Sequence, residues 1–313
     1  MSKYLVFGHR NPDSDAIGSA ISLAYYLNQK GYEAEAVALG EANDETSYAL
    51  NYFGLDAPRV VETVSNETDR VALVDHNEFQ QSASDIEKVQ IDFVVDHHRI
   101  QNFHTAQPLF YRAEAVGCTS TVLYKMYQEN NVEIPQNIGG MMLSAILSDT
   151  LIFKSPTCTQ DDIDAANALA DIAGVDIQQY GLDLLRAGTN FANKTDEFII
   201  NSDAKNFTLN NYDVRVGQVN VIGFDEILER KDSLLSAMKK DYERDNLDMF
   251  LLVLTDVLDS TSLGLVVGER DELIKDAFGY DVINDQVDLP DVVSRKKQII
   301  PPLTNSYNKE DVI

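Results

Sequence analysis

The sequence predicts an α/β protein of two domains. The N-terminal domain is expected to carry a mainly parallel, doubly wound sheet, and a smaller C-terminal domain to be mixed α/β. Two patterns predict this. In the first half, short apolar, β-branched runs alternate with stretches whose apolar residues recur at helical spacing, which indicates βαβ units. The pattern then changes after a small, polar stretch, Ala187-Gly188-Thr189-Asn190-Phe191-Ala192-Asn193-Lys194, which reads as a linker. The expected boundaries are 1–187, a hinge at 188–194, and 195–313. That division suits a chain of 313 residues, since domains usually run about 100–200 residues.

Each element has a local reason. Tyr4-Leu5-Val6-Phe7 sits in a strand expected over 3–8. A helix follows near 15–29, where Ile17, Ala20, Ile21, Ala24 and Leu27 share one face, and Asn28-Gln29-Lys30-Gly31 stops it. A strand at 33–39, a helix at 43–53, and strands near 70–74 and 91–95 come next. From about 117 to 187 the chain is expected to be mostly helical, most clearly from Asp161 to Ala173 and from Asp176 to Leu185. Beyond the linker, 212–222, 248–257 and 262–268 read as strands, with helices at 230–245 and 269–278.

Composition narrows the function. The chain has 51 acidic against 25 basic residues, a formal charge of −26. Such a surface repels polyanions, so nucleic-acid binding is not expected. A small anion remains compatible if metals and a few cations invert the local field. Cys118 and Cys158 form no close-spaced pair and read as small buried thiols of a reduced compartment. The start MSKYLVFGHR enters a strand at once, so no secretory leader is expected. No apolar run nears the ~20 residues of a membrane span, and the expected location is cytoplasmic.

The candidate chemistry lies in four acidic or histidine clusters: His9-Arg10-Asn11-Pro12-Asp13-Ser14-Asp15, Asp75-His76, Asp96-His97-His98, and Asp149. The first three each follow an expected strand, and strand C-termini in a parallel sheet converge on the functional crevice. Four of the five histidines are in these clusters. Asp13 and Asp15 alternate and so suit different ions. Asp75 can bridge two ions, His97 can complete the second, and Asp149 can reach the same cavity from a helix end. Carboxylate and imidazole donors favour Mn²⁺, with Mg²⁺ as companion, over structural zinc. Taken singly, each cluster is also explained by helix capping, with Asp15 or Ser14 as the cap of the 15–29 helix. Together, unpaired carboxylates at one crevice would repel without cations. His104 reads as an ordinary loop histidine, and His76 as a group that tunes a neighbouring ligand. Near the C-terminus, Ser294-Arg295-Lys296-Lys297-Gln298 precedes an apolar Ile299-Ile300-Pro301-Pro302 stop. This run reads equally as a solvated charge run or as a phosphate site, with Lys205 a further candidate.

These motifs resemble the family II inorganic pyrophosphatases of the Asp-His-His (DHH) phosphoesterase superfamily. The resemblance rests on Gly8–Asp15, Val74–Glu78, Val95–His98, Ser148–Thr150 and Ser294–Gln298, and spans residues 3 to about 303. It implies an active site in a cleft between two hinged domains. It implies His9, Asp13 and Asp75 on one Mn²⁺, and Asp15, Asp75, His97 and Asp149 on a second. It also implies that His98, Lys205, Arg295 and Lys296 bind pyrophosphate or product phosphate, that Mg²⁺ arrives with the substrate, and that the chain is a homodimer through its N-terminal domain. The expected reaction is hydrolysis of pyrophosphate to two phosphates by a hydroxide held between the metals. The alternative is a phosphodiesterase or exonuclease of the same superfamily, acting on short oligonucleotides or cyclic dinucleotides. Such an enzyme would carry a glycine- and histidine-rich motif in its second domain, and residues 195–313 contain no histidine.

Overall fold

A computed structural model describes residues 3–189, 191, 194–268 and 271–309. The chain divides into two compact units, Met1–Gly188 and Thr189–Ile313. Of the expected linker, Asn190, Ala192 and Asn193 lie outside the described residues.

The first unit runs β1 (Tyr4–Phe7), α1 (Ser14–Gln29), β2 (Ala34–Ala36), α2 (Asp44–Tyr52), β3 (Arg70–Val74), β4 (Gln90–Asp96), β5 (Phe110–Ala113), α3 (Thr119–Glu129), α4 (Gln136–Asp149), α5 (Gln160–Ala173) and α6 (Ile177–Gly188). Its five strands are all parallel, in the order β2-β1-β3-β4-β5. Strands buried on both faces read as continuous apolar runs, and β1 and residues 71–74 of β3 are buried throughout. Leu5, Phe7, Val71 and Leu73 pack with Val61, Val64, Ala83 and Ile86 on one face. Their alternates Val6, Ala72 and Val74 are buried too, and α1 packs against β1 and β3. The chain leaves β1 for β2 on one side and later returns to β3 on the other. This is the switch point at which open α/β sheets bind ligands. Gly8 makes the tight exit from β1 possible, because a Cβ there would lie 2.5 Å from that of Ala16.

The second unit runs α7 (Asp196–Asn201), β6 (Ala204–Leu209), β7 (Tyr212–Val221), α8 (Asp225–Leu228), α9 (Lys231–Arg244), β8 (Met249–Asp256), β9 (Thr261–Val267), α10 (Asp271–Phe278) and β10 (Gln286–Leu289). A π-helical turn at Arg295–Ile299 leads into α11 (Ile300–Lys309). Its sheet is mixed, in the order β10-β9-β8-β7-β6, with β7 and β8 parallel and the other pairs antiparallel. The fully buried β8 is central. Leu273, Ile274, Leu303 and Tyr307 cover one face, and Ile199, Ile200, Leu234 and Met238 the other. Asn210 and Asn211, both at positive φ, close the β6–β7 hairpin, as a two-residue turn of this hand requires.

Several local expectations need correction. β5, β6 and β10 are present where no strand was expected. The helix expected from 269 is described from Asp271, and Glu269 and Arg270 lie outside the described residues. Ile300-Pro301-Pro302 begins a helix and is not a stop. Proline is tolerated in a first helical turn, where its missing N–H leaves no bond unmade.

Candidate active site

The loops after β1, β3 and β4 bring the sequence-marked residues of the first unit together with the end of α4. His9 Nε2 lies 3.4 Å from Asp13 Oδ2 and 3.3 Å from Asp75 Oδ2. His97 Nε2 lies 3.3 Å from Asp75 Oδ1 and 4.0 Å from Asp149 Oδ2. Asp75 therefore turns one oxygen toward each histidine. Among the described residues, three sets offer ligand atoms within 4.8 Å of one another: His9, Asp13 and Asp75; Asp15, His97 and Asp149; and Asp75, His97 and His98.

The local backbone explains this placement. Asp75 is the residue after β3, adopts φ 57° and is only 2% exposed. Aspartate tolerates this left-handed conformation better than most side chains. Asp13, and neither Ser14 nor Asp15, caps α1, accepting from the Ala16 amide at 2.9 Å. That releases Asp15 into the interior, where it accepts from Ser19 Oγ at 2.6 Å and from the amides of Thr119 and Ser120 at 2.7 and 3.2 Å. Anions are stabilised at such helix N-termini. The ring nitrogens are also directed. His9 Nδ1 meets the Arg10 carbonyl at 2.9 Å and His97 Nδ1 the Val116 carbonyl at 3.1 Å. A carbonyl only accepts, so Nδ1 carries a proton in both rings; Nε2 faces the carboxylates, donating to them while the ring is protonated and offering its lone pair to a cation once that proton leaves. This is the usual arrangement of a metal-ligating histidine.

Electrostatics point the same way. Burial, then the Asp75 charge, pushes Asp15 up to about 6. Burial, then Asp15 and Asp75, holds Asp149 well above the ordinary carboxylate range. Burial opposes charge on both ligand-like histidines, but hydrogen bonds to Asp13 and Asp75 push His9 up to about 11. A hydrogen bond to Asp75 and the Asp15 charge push His97 up to about 9. Burial likewise opposes ionisation of Asp75, yet hydrogen bonds from His9 and His97 hold it below its usual range. Four clustered carboxylates demand positive charge here, and oxygen and imidazole donors suit a hard or borderline divalent cation.

Beside this cluster stands His98, whose Nδ1 lies 3.0 Å from Asp96 Oδ1 and 3.5 Å from Asp75 Oδ1. The Asp96 hydrogen bond raises its pKa. In the second unit, Lys205 of β6 is exposed. It helps line a cavity of about 360 Å³ with Phe207, Gln218, Ser294 and Arg295. Arg295 starts the π-helical turn. Its guanidinium bonds the Asp203 carboxylate at 2.8 Å and the Asp203 carbonyl. The Lys296 side chain lies outside what is described.

Comparison with known proteins defines the family. Residues 3–146 match the DHH family, N-terminal domain, and residues 182–306 the DHHA2 domain. A Bacillus subtilis protein named manganese-dependent inorganic pyrophosphatase is 52% identical over 98% of this chain and 99% of its own length. A Lactobacillus johnsonii protein named "probable manganese-dependent inorganic pyrophosphatase" is 58% identical over the same shares. The chain belongs to the family II, manganese-dependent inorganic pyrophosphatases. A solved Methanococcus jannaschii structure, described as a "putative family II inorganic pyrophosphatase", superposes with a TM-score of 0.64 at 37% identity, covering 98% of this chain and 99% of that one.

Against that family membership, some features of the site had no sequence signal. Cys118 is fully buried, and burial, then the Asp15 and Asp149 charges, pushes its thiol well above the usual range. Directly after α4, Leu151, Ile152 and Phe153 all take positive φ. This left-handed turn costs roughly 1–2 kcal/mol per residue and fixes the exit of the chain behind Asp149. His76 is 2% exposed, bonds the Val74 carbonyl through Nδ1 at 2.8 Å, and has no partner at Nε2. Burial lowers it to about 4, so it stays neutral. His104, expected as a plain loop residue, lies 5.1 Å from the Phe79 ring and lines a separate cavity of about 320 Å³.

Proposed function

We propose that this chain catalyses the manganese-dependent hydrolysis of inorganic pyrophosphate to two phosphates. The observation that carries the reading is Asp75 turning one oxygen to His9 of one ligand set and the other to His97 of a second, in a chain whose relatives bear that activity in their names. His9, Asp13 and Asp75 would hold one Mn²⁺, and Asp15, Asp75, His97 and Asp149 the other. Bound there, the two ions supply Lewis acidity and bring water to its nucleophilic form near neutral pH.

The chain's own residues do the rest. Water adds to one phosphorus, the bond to the bridging oxygen breaks, and that oxygen leaves with the second phosphate. His98, kept protonated at Nδ1 by Asp96, offers Nε2–H to a phosphoryl oxygen. Arg295 presents a planar fork, and Lys205 and Lys296 present point charges, to oxygens that gain charge as the bond breaks. Asp203 fixes the guanidinium of Arg295, so fewer rotamers are lost when the anion binds.

The reading extends to Mg²⁺ carried in with the substrate, since magnesium commonly binds through phosphates plus one or two carboxylates. It also includes a homodimer through the N-terminal domain, a cytoplasmic location, and no nucleic-acid partner. The net charge of −26 supports the last of these. Among the described residues no helix is long and apolar enough to cross a membrane. A phosphodiesterase of the same superfamily is not favoured, because the close relatives are named pyrophosphatases. The test is phosphate release from pyrophosphate in one preparation with and without Mn²⁺, beside cleavage of a dinucleotide. Pyrophosphate hydrolysis that appears only with Mn²⁺ is the expected result. Dinucleotide cleavage without it would overturn the proposal.

A further inference from the structure

Three segments far apart in sequence meet at one carboxylate oxygen beside the acidic cluster. Glu45 lies in the first turn of α2. Its Oε1 accepts from Ser14 Oγ at 2.7 Å and from Ser148 Oγ at 2.5 Å, across 31 and 103 residues of chain. Ser14 sits between Asp13 and Asp15, and Ser148 directly precedes Asp149. Ser14 is fully buried and also bonds Thr46 Oγ1 at 3.1 Å. The far side of Glu45 rests on Gly188, the last residue of α6. A Cβ there would come within 3.0 Å of Glu45 Cβ and 3.2 Å of Oε2, so glycine leaves the room this side chain occupies.

Glu45 is in none of the three ligand sets. It touches the hydroxyls of residues adjoining three proposed ligands, and not the ligands themselves. We propose that Glu45 is a positioning residue of the metal centre, a single acceptor that ties the start of α1, with Asp13 and Asp15, to the end of α4, with Asp149. The physical reason is plain. Asp13 and Asp15 ride on one helix end and Asp149 on another, so the spacing of the ligands is the spacing of the two helices. The fully buried Ser14 hydroxyl needs an acceptor, and a carboxylate is the strongest the chain can offer. Supporting groups of this kind typically hold 10–100-fold in metal affinity or activity. The proposal rests on reading the cluster as a Mn²⁺ site.

The experiment uses the full chain, stripped of metal and titrated with Mn²⁺ by calorimetry, then assayed with pyrophosphate across Mn²⁺ concentrations. Glu45→Ala should weaken Mn²⁺ binding about 10–100-fold, with kcat recovering as Mn²⁺ is raised. Glu45→Gln keeps an oxygen that accepts from both serines and should stay close to the unsubstituted protein. If Glu45→Ala does not fold, the double variant Ser14→Ala, Ser148→Ala removes the same two bonds from the other end and should show the same loss. Unchanged Mn²⁺ affinity in whichever of these folds, or equal loss in the Gln and Ala variants, would overturn the role. An unsubstituted chain that takes up no Mn²⁺ would instead overturn the metal-centre reading, and the role of Glu45 with it.

Discussion

In the first unit, Asp75 is 2% exposed and Asp15 fully buried, each set by main-chain geometry at a strand end or helix start. In the second unit, Lys205 is exposed on β6, and Arg295 reaches its cavity through a long side chain tied to Asp203. The acidic cluster is built from short side chains that the backbone places at strand and helix ends. The basic cavity is built by long side chains on a hairpin strand and a helical turn, with the Arg295 guanidinium already tied to Asp203. Short side chains at converging strand ends lose little freedom on binding a cation, whereas long cations lose more rotamer freedom on binding an anion. This contrast suits a resident cation in one unit and an exchanging anion in the other.

The largest expected effect breaks the acidic half. Asp75→Ala removes the residue common to two ligand sets, so calorimetry should no longer find two full-affinity Mn²⁺ sites, and hydrolysis should fall to background. Two intact sites would refute its bridging role. Next, Lys296→Ala or Arg295→Ala should cost roughly 10²–10³-fold in turnover, the scale for one stabilising group on developing charge, with metal content unchanged. Loss of metal in either variant would show that the two halves are not separate in function.

A pH series sharpens the comparison further. His97, up to about 9, and His9, up to about 11, sit above the usual 6.5. The stability they lend the metal-free fold is complete below about pH 6.5 and is lost as pH rises through about 9 for His97 and about 11 for His9. Asp15, raised to about 6, has the same sign, because its ionisation costs stability from about pH 4 to about 6. Asp75, held low, acts oppositely and only in acid. Mn²⁺ replaces the histidine protons. The Tm of metal-free protein should therefore fall between pH 6.5 and 9, while the Tm gain from Mn²⁺ widens. A gain independent of pH would break the link. The smallest effect is at Asp203→Asn. The Asp203 carboxylate is exposed, and its substitution leaves the Asp203 carbonyl bonded to Arg295; at the roughly 1 kcal/mol or less of a surface pair, KM for pyrophosphate should move less than about fivefold. A larger change would mean that the cavity is as preorganised as the acidic cluster.

Legibility in the sequence follows the same division. β1 and residues 71–74 of β3 are buried apolar runs, β4 carries a shorter apolar run at Phe93-Val94-Val95, and the marked acids and histidines follow them in sequence, so both were readable. β5 and β10 are four residues each, and β6 (Ala204–Leu209) mixes Lys, Asn and Thr into its run. Each is recruited by pairing to a neighbouring strand and carries too weak a pattern of its own. Pro301 and Pro302 looked like a terminus, because proline breaks a helix interior, yet it is also favoured at a helix start. Glu45 and Cys118 had no signal, since each acquires its meaning only from partners about 30 to 100 residues away.

The order of apolar runs and the acids after them, set by local chemistry, already determined a parallel α/β unit with a crowd of ligand-type side chains at its strand ends. Only the tertiary structure decided which oxygen faces which imidazole, that Asp13 caps α1 while Asp15 turns inward, and that Glu45 joins two helix ends. Those outcomes depend on side-chain direction and burial, quantities that exist only once distant segments have packed and water has left the space between them.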